Sequence, residues 1–229
     1  MLSRRRFLAA LGAGGLGLAG WRLWPEGGLW HSCGPPALPA AFAHHELLHR
    51  VWEGLDPAQL WDCHVHLLGS GDSGSGCWLN PRMGSLWHPI ESLQKAFYLN
   101  AACVADKAGM DAAYVQRLLA LHAAFPKGAK RMLLAFDWHH DENGKRVEAL
   151  SPFHTPNEYA QRLAREHPQH FEWIASVHPY REDAIEALEQ AAKGGARAVK
   201  WLPAAQGMDP ADARCDRFLK RLRASSCRC

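Results

Sequence analysis

Apolar residues along this chain fall into short runs that alternate with longer amphipathic stretches. The runs predict β-strands at 60–68, 131–137, 171–178 and 196–202. The amphipathic stretches predict helices at 44–54, 90–104, 111–124, 156–166, 182–193 and 212–223. Strands that alternate with helices pair in parallel through right-handed crossovers. The pattern therefore predicts an α/β fold, either an open doubly wound sheet or part of a (β/α)8 barrel.

Details of the pattern add local expectations. Asp111 is placed to cap the helix that follows it, and Phe218, Leu219 and Leu222 share one face of the last predicted helix. The Gly/Ser segment 69–76 interrupts the pattern directly after the first strand. It predicts either a lid or wall over a site at the end of that strand, or a mobile linker.

The first strand carries Asp62, His64 and His66 at alternate positions. Alternate residues of a strand point to one face, so these three are expected to share a face. Two imidazoles two residues apart can reach one divalent ion, because neutral His nitrogen is a good zinc ligand. With 14 His in the chain, one such pair is also expected by chance, and its interpretation depends on the other strands.

Polar residues follow the other predicted strands as well. Asp137 with His139 and His140, then His178, and then Lys200 lie at successive strand ends. Loops at the carboxyl ends of parallel strands build the active sites of barrel enzymes. No P-loop sequence follows a strand, and no predicted helix begins directly after the Gly69-x-Gly71-x-x-Gly74 run that follows the first strand, so a nucleotide-binding sheet has little support.

Charge and cysteine content narrow the class of protein. The net charge is +3 and much of the excess lies at the two ends, so no basic face indicates nucleic-acid binding. The seven Cys residues are irregularly spaced and form no Cys-x2-Cys pair, which does not indicate a disulfide framework or a zinc ribbon.

The N-terminal segment 1–43 reads as a leader. Ser3-Arg4-Arg5-Arg6-Phe7-Leu8 precedes a short apolar run and resembles a twin-arginine export signal, with Ala41-Phe42-Ala43 as a cleavage site. This resemblance implies the twin-arginine export machinery as a partner and a periplasmic or other extracytoplasmic location. The alternative is an uncleaved leader that anchors the protein in the membrane.

Residues 44–224 resemble the amidohydrolase superfamily of metal-dependent hydrolases. The resemblance lies in Asp62-x-His64-x-His66 and in 194–203, which includes Val199-Lys200-Trp201-Leu202-Pro203. It implies a (β/α)8 barrel, one or two divalent ions (zinc foremost), and His64 and His66 as ligands. It also implies Lys200 as a carboxylated ligand, the alternative being an internal ion pair. His178 and Asp137 are then expected near a small-molecule substrate, the alternative for His178 being a structural role before Pro179.

A complete barrel needs about 250 residues, and only about the first four β/α units are recognisable here. Residues 225–229 do not resemble a fifth strand, so a truncated product of a longer gene is expected. The expected activity is hydrolysis of an amide, ester or related bond by metal-activated water, impaired by the missing half. The alternatives are a decarboxylase of the same superfamily and a non-catalytic fragment that self-associates through unpaired sheet edges.

Overall fold

The structure is a computed structural model that describes residues 33–225. The chain divides into two compact units, Met1–Gly34 and Pro35–Cys229, and the elements below belong to the second. The twin-arginine-like motif and the apolar run after it lie outside the described residues, as does almost all of the segment 225–229.

The described chain alternates strands and helices much as its hydrophobic pattern predicts. The strands are β1 Trp61–His66, β2 Trp78–Leu79, β3 Lys130–Leu134, β4 Phe153–His154 and β5 Phe171–Ile174. The helices are α1 Glu46–Trp52, α2 Pro89–Ala102, α3 Met110–His122, α4 Asn157–Glu166, α5 Ala184–Lys193, α6 Pro203–Gln206 and α7 Arg214–Ala224. Short 3-10 turns lie at 40–42, 57–59, 81–84 and 148–150.

The main sheet is parallel and its order follows the chain. β1 pairs with β3, and β3 pairs with β5. Residues 197–200 extend the sheet beyond β5 through one parallel bridge, Ala175 to Val199, and through three backbone hydrogen bonds of 2.8–3.0 Å. The fourth predicted strand is therefore present as a short edge segment. A separate antiparallel pair joins β2 to β4.

The predicted α/β class with a parallel sheet is confirmed, and the described residues do not form a closed barrel. The larger core lies between one face of the sheet and α3, α4, α5 and α7. Its members from the strands include Val65, Leu133 and Trp173. A smaller cluster lies on the other face and contains Met132, Leu134 and Ile174, with Trp61 and Ala198 packed against it. Within 33–225, the helices that contribute to the larger core all cover one face of the sheet.

Two local expectations are wrong. Asp111 does not cap α3, because Gly109 occupies the N-cap position and the Asp72 carboxylate accepts from the Met110 N–H at 2.9 Å. Leu219 of α7 remains 37% exposed, whereas Phe218 and Leu222 are buried, because the buried stripe of this helix is narrower than the predicted one.

The cysteines depart from the expectation in one respect. Cys33 and Cys103 are each disulfide-bonded, which the irregular spacing of the cysteines did not indicate. Cys63, Cys77 and Cys215 are free thiols. Pairing depends on which thiols the fold brings together, and sequence spacing alone does not reveal this. Within residues 33–225, no helix has both the length and the apolar character needed to cross a bilayer.

Candidate metal-binding site

A β-bulge in β1 decides which of its polar side chains lie together. Asp62 pairs with Arg131, but Val65 pairs with Leu133, so two residues of β1 oppose one of β3 between these pairs. An extra residue reverses the alternation of side chains on either side of it. Asp62 therefore lies on the helix-covered face with Arg131, whereas His66 lies opposite, level with Leu134. The expectation that all three polar residues share a face is wrong for Asp62.

His64 and His66 do converge. Their Nε2 atoms are 2.9 Å apart and their ring centroids 4.8 Å apart. Two nitrogen ligands about 2.1 Å from one ion would lie about 3.0–3.4 Å apart at bond angles of 90–109°. The pair is therefore within a few tenths of an ångström of the separation that a shared ion requires.

Lys200 reaches this pair from the edge segment of the sheet. Its Nζ lies 3.4 Å from the Nε2 of His64, across 136 residues of sequence. Its backbone is fixed by the bond from Lys200 N–H to the Ala175 carbonyl and by the Ser176 hydroxyl, which donates to the Lys200 carbonyl at 3.0 Å. Side chains from the first strand and from the last segment of the sheet, which stand at its opposite edges, thus meet at one point.

The electrostatics of this group favour neutral nitrogens. Desolvation, followed by the nearby Lys200 and His64, lowers the pKa of His66 to about 4. Desolvation also lowers the pKa of Lys200. Neutral imidazole is the form that coordinates metal, so His66 is in its ligating state at neutral pH. Among residues 33–225, no group of three or more His, Cys, Asp or Glu side chains is arranged to hold an ion.

Helix α3 holds the end of β1 in place. The Tyr114 hydroxyl, at the buried end of its side chain, donates to the His66 carbonyl at 2.8 Å. This contact positions the backbone that carries the second imidazole. The helical spacing of Tyr114 in the sequence indicates burial and gives no indication of a hydrogen-bond partner on β1.

Replacing Tyr114 with phenylalanine should lower the free energy of unfolding by about 1 kcal/mol, because one hydrogen bond is lost and the ring packing is kept. If the bond also positions His66, zinc affinity should fall about threefold or more, a smaller effect than loss of a direct ligand. Urea unfolding and zinc titration of the same protein samples separate the two effects. Tyr159→Phe is the matched control, because Tyr159 is equally buried in α4 and its hydroxyl bonds to neither histidine. Equal zinc affinity in both variants would contradict the positioning role.

The Gly/Ser segment is anchored beside the same helix. The buried Asp111 carboxylate accepts from the Ser70 N–H at 2.6 Å, the Gly71 N–H at 3.2 Å and the Ser75 hydroxyl at 2.5 Å. The Ser73 hydroxyl adds a further bond of 3.2 Å. A mobile linker, one of the two expectations for this segment, does not fit this arrangement. The segment leaves β1 directly after the histidine pair and folds back onto the N-terminus of α3.

Asp137 lies at the centre of a different cluster. Its carboxylate is 3% exposed and accepts from the N–H groups of Trp138 and His178, both at 2.8 Å. It also accepts from Arg181 Nη1 at 2.9 Å. Arg181 in turn forms a two-point ion pair with Asp183, which holds the pKa of the Asp183 carboxyl below its usual range. Asp137 thus joins the ends of β3 and β5, and sequence analysis did not identify Arg181 as its partner.

His178, the other residue expected near a substrate, is fully buried. Its Nδ1 accepts from the Tyr180 N–H at 3.2 Å, so Nε2 carries the proton and donates to the Gln206 carbonyl at 2.9 Å. Desolvation is the main cause that lowers its pKa to about 4. With both nitrogens bonded internally, His178 connects the end of β5 to α6 and has no surface to offer a substrate in this structure.

A cavity of about 610 Å³ opens beside this cluster, between α4 and α5. Its wall contains Asp137, Arg181, Trp138 and His154. The rings of Trp138 and His154 are stacked, with their centroids 4.3 Å apart. His64, His66 and Lys200 do not line it. The structure therefore separates the sequence-predicted residues into two groups, one around the histidine pair and one beside this cavity.

Comparison of the chain with models of known protein families, with curated proteins and with solved structures gives no match. The function of the site is therefore argued from its own geometry.

Proposed function

We propose that the protein is a metal-dependent hydrolase of the amidohydrolase type that binds a divalent ion, foremost zinc, at His64, His66 and Lys200. The observation that carries the proposal is the convergence of the two Nε2 atoms at 2.9 Å with the Lys200 amine 3.4 Å from one of them. Imidazole nitrogens at this separation match a pair of zinc ligands in type and spacing.

The architecture favours a barrel-type arrangement rather than a doubly wound sheet. Doubly wound sheets reverse their strand order and carry helices on both faces. Here the order β1, β3, β5 and then 197–200 follows the chain, and the helices of the larger core lie on one face. In a barrel the uncovered face points inward, and that is the face on which His66 lies.

Lys200 fits the site best in a modified form. Its Nζ has the imidazole of His64 as a neighbour, and within residues 33–225 it forms no ion pair with a carboxylate. Because desolvation lowers its pKa, a larger fraction of the amine is neutral and able to add to carbon dioxide. The addition forms a carbamate N–C bond and releases the amine proton to solvent, which converts a cation into an anionic oxygen ligand.

A bound divalent ion would polarise a substrate carbonyl and lower the pKa of its water toward neutrality. The side chains of the protein would hold and orient the ion. His66 presents a neutral nitrogen, His64 lies on the same face two residues earlier, and Tyr114 fixes the end of their strand. The substrate class is a small molecule with an amide, ester or related bond, and the leader predicted at 1–43 favours an extracytoplasmic compartment.

Metal analysis of the purified full chain tests the proposal. We expect about one zinc ion per chain, reduced at least tenfold by the double substitution His64→Ala, His66→Ala. Lys200→Ala should lower the affinity as well, and added bicarbonate should raise the zinc affinity of the wild type without affecting that variant. Hydrolysis of p-nitrophenyl esters should follow zinc occupancy across these samples.

The matched control is His44→Ala, His49→Ala, which removes two exposed histidines from the α1 region. It keeps the number of substituted imidazoles equal. If both double variants retain the same zinc, the histidine pair is not the metal site. Zinc bound at His64 and His66 without any hydrolysis would instead support a non-catalytic metal-binding protein.

A further inference from the structure

The three most exposed large apolar side chains of the described chain occur together, at the turn before α2 and on its first turn, and a fourth exposed one follows on the same helix. Leu86 is 97% exposed, Trp87 91%, Ile90 70% and Leu93 51%. We call these four residues the apolar tip. Of the 14 residues of helix α2, only Leu99 is buried. Packing against the core therefore does not account for the apolar residues in the N-terminal half of this helix.

The apolar tip is held in a defined conformation. The Ser85 hydroxyl accepts from the Trp87 N–H at 3.2 Å and lies 3.1 Å from Nδ1 of His88. The Ser85 carbonyl accepts from the Ser92 hydroxyl at 2.9 Å, which ties the turn to the first turn of α2. A turn fixed in this way presents Leu86 and Trp87 outward without a further ordering step on binding.

We propose that the apolar tip inserts into the interfacial region of a lipid bilayer. The tip exposes on the order of 500 Å² of apolar surface, if a large side chain presents about 150–200 Å². That is near the size of patches that mark interaction sites, but below the roughly 800 Å² per partner of a stable dimer. Its two outermost side chains project almost completely from the surface, which suits insertion into a fluid layer more than docking on a rigid partner.

The residue types agree with a lipid surface. Tryptophan is enriched at membrane interfaces, and Leu and Ile on one side of a helix give the apolar face of an interfacial helix. Ile90 and Leu93 are three residues apart and therefore share a face of α2. The exposed Arg82 lies in the turn just before Ser85, where a guanidinium can contact lipid phosphate. The leader predicted at 1–43 would also bring the protein to a membrane.

Hydrogen exchange of the full chain tests the insertion, because it locates protection along the sequence and separates the tip from the leader. The probe is a vesicle of phosphatidylcholine with a minority of phosphatidylglycerol. We expect vesicles to protect the amides of 85–93 in the wild type. Leu86→Ser, Trp87→Ser should abolish this protection and lower the partition coefficient about tenfold beyond any contribution of the leader.

The matched control is Leu55→Ser, Leu150→Ser, which removes two exposed leucines elsewhere and should leave binding unchanged. Protection confined to residues 1–32 would overturn the proposal. So would protection of 85–93 that needs no vesicles and rises with protein concentration, since a second copy of the chain would then be the occupant. Retained protection in the tip variant would overturn it as well.

Discussion

Replacing Asp111 with alanine should lower the free energy of unfolding by about 3–5 kcal/mol, the range seen when one partner of a buried charged network is removed. The carboxylate is fully buried and gathers donors from Ser70, Gly71, Ser73 and Ser75. Without it, the buried Ser75 hydroxyl and three part-buried donors lose their acceptor, and such a loss costs about 1–3 kcal/mol where water does not enter. Urea unfolding with a common slope for wild type and variant measures the change.

Asp216→Ala is the matched control for this experiment. Asp216 also lies in the first turn of a helix, α7, but its side chain is exposed. Its removal takes away only a favourable charge at a helix N-terminus, which contributes about 0.3–1 kcal/mol. If Asp111→Ala costs no more than Asp216→Ala, the loop is not held by this carboxylate. Asp111→Asn should lower the free energy of unfolding by less than Asp111→Ala does, because an amide keeps one acceptor oxygen.

Acidification from pH 7 to pH 5 should lower the free energy of unfolding by about 3 kcal/mol through the two buried histidines His122 and His178. Burial is the main cause that lowers the pKa of each to about 4, and both are at most 5% exposed. In the unfolded chain their pKa returns to about 6.5, so between these values the unfolded state binds more protons. Their contribution to stability is thus present above pH 6.5 and is lost as pH falls toward 4.

His122→Phe separates the contribution of one histidine. His122 stacks on Phe125 with the ring planes 2° apart, and its buried Nδ1 has no hydrogen-bond partner, so an apolar ring fits the site. The variant should keep its stability at pH 7 and lose about half of the decrease that these two histidines contribute between pH 7 and pH 5. Urea unfolding at a series of pH values measures this. An unchanged pH dependence would show that His122 is not held neutral in the folded state.

The sequence predicted the elements better than their register. β1, β3 and β5 were found because their apolar runs are continuous, and α5 because its apolar residues follow the helical period up to Gly194. The bulge in β1 was not predicted, because the extra residue is defined by pairing with β3 and Asp62-x-His64-x-His66 alternates in the usual way. That one register change removed Asp62 from the face of the two histidines.

The site was predictable only where local spacing in the sequence determines it. His64 and His66 could be paired from local spacing, whereas the approach of Lys200 depends on the sheet continuing beyond β5. The role of Asp111 in holding the Gly/Ser segment was not predicted, and for His178 the sequence left a structural role open beside a substrate contact. By type and position Asp111 also suits a helix cap, and His178 also suits a substrate contact. Which role each residue has depends on its partner, which is 41 residues away for Asp111 and 28 residues away for His178. Burial of a polar side chain is a tertiary property that local pattern does not determine.

The strand order also has a consequence for how the chain folds. β3 pairs with β1, β5 with β3, and 197–200 with the end of β5, so each strand adds beside the strand that precedes it in the sheet. During synthesis each new strand would meet a partner that has already left the ribosome, and no strand must wait for one still to be made. The sheet can therefore grow from its N-terminal edge as the chain emerges, with only one strand edge to protect at the growing side at any time.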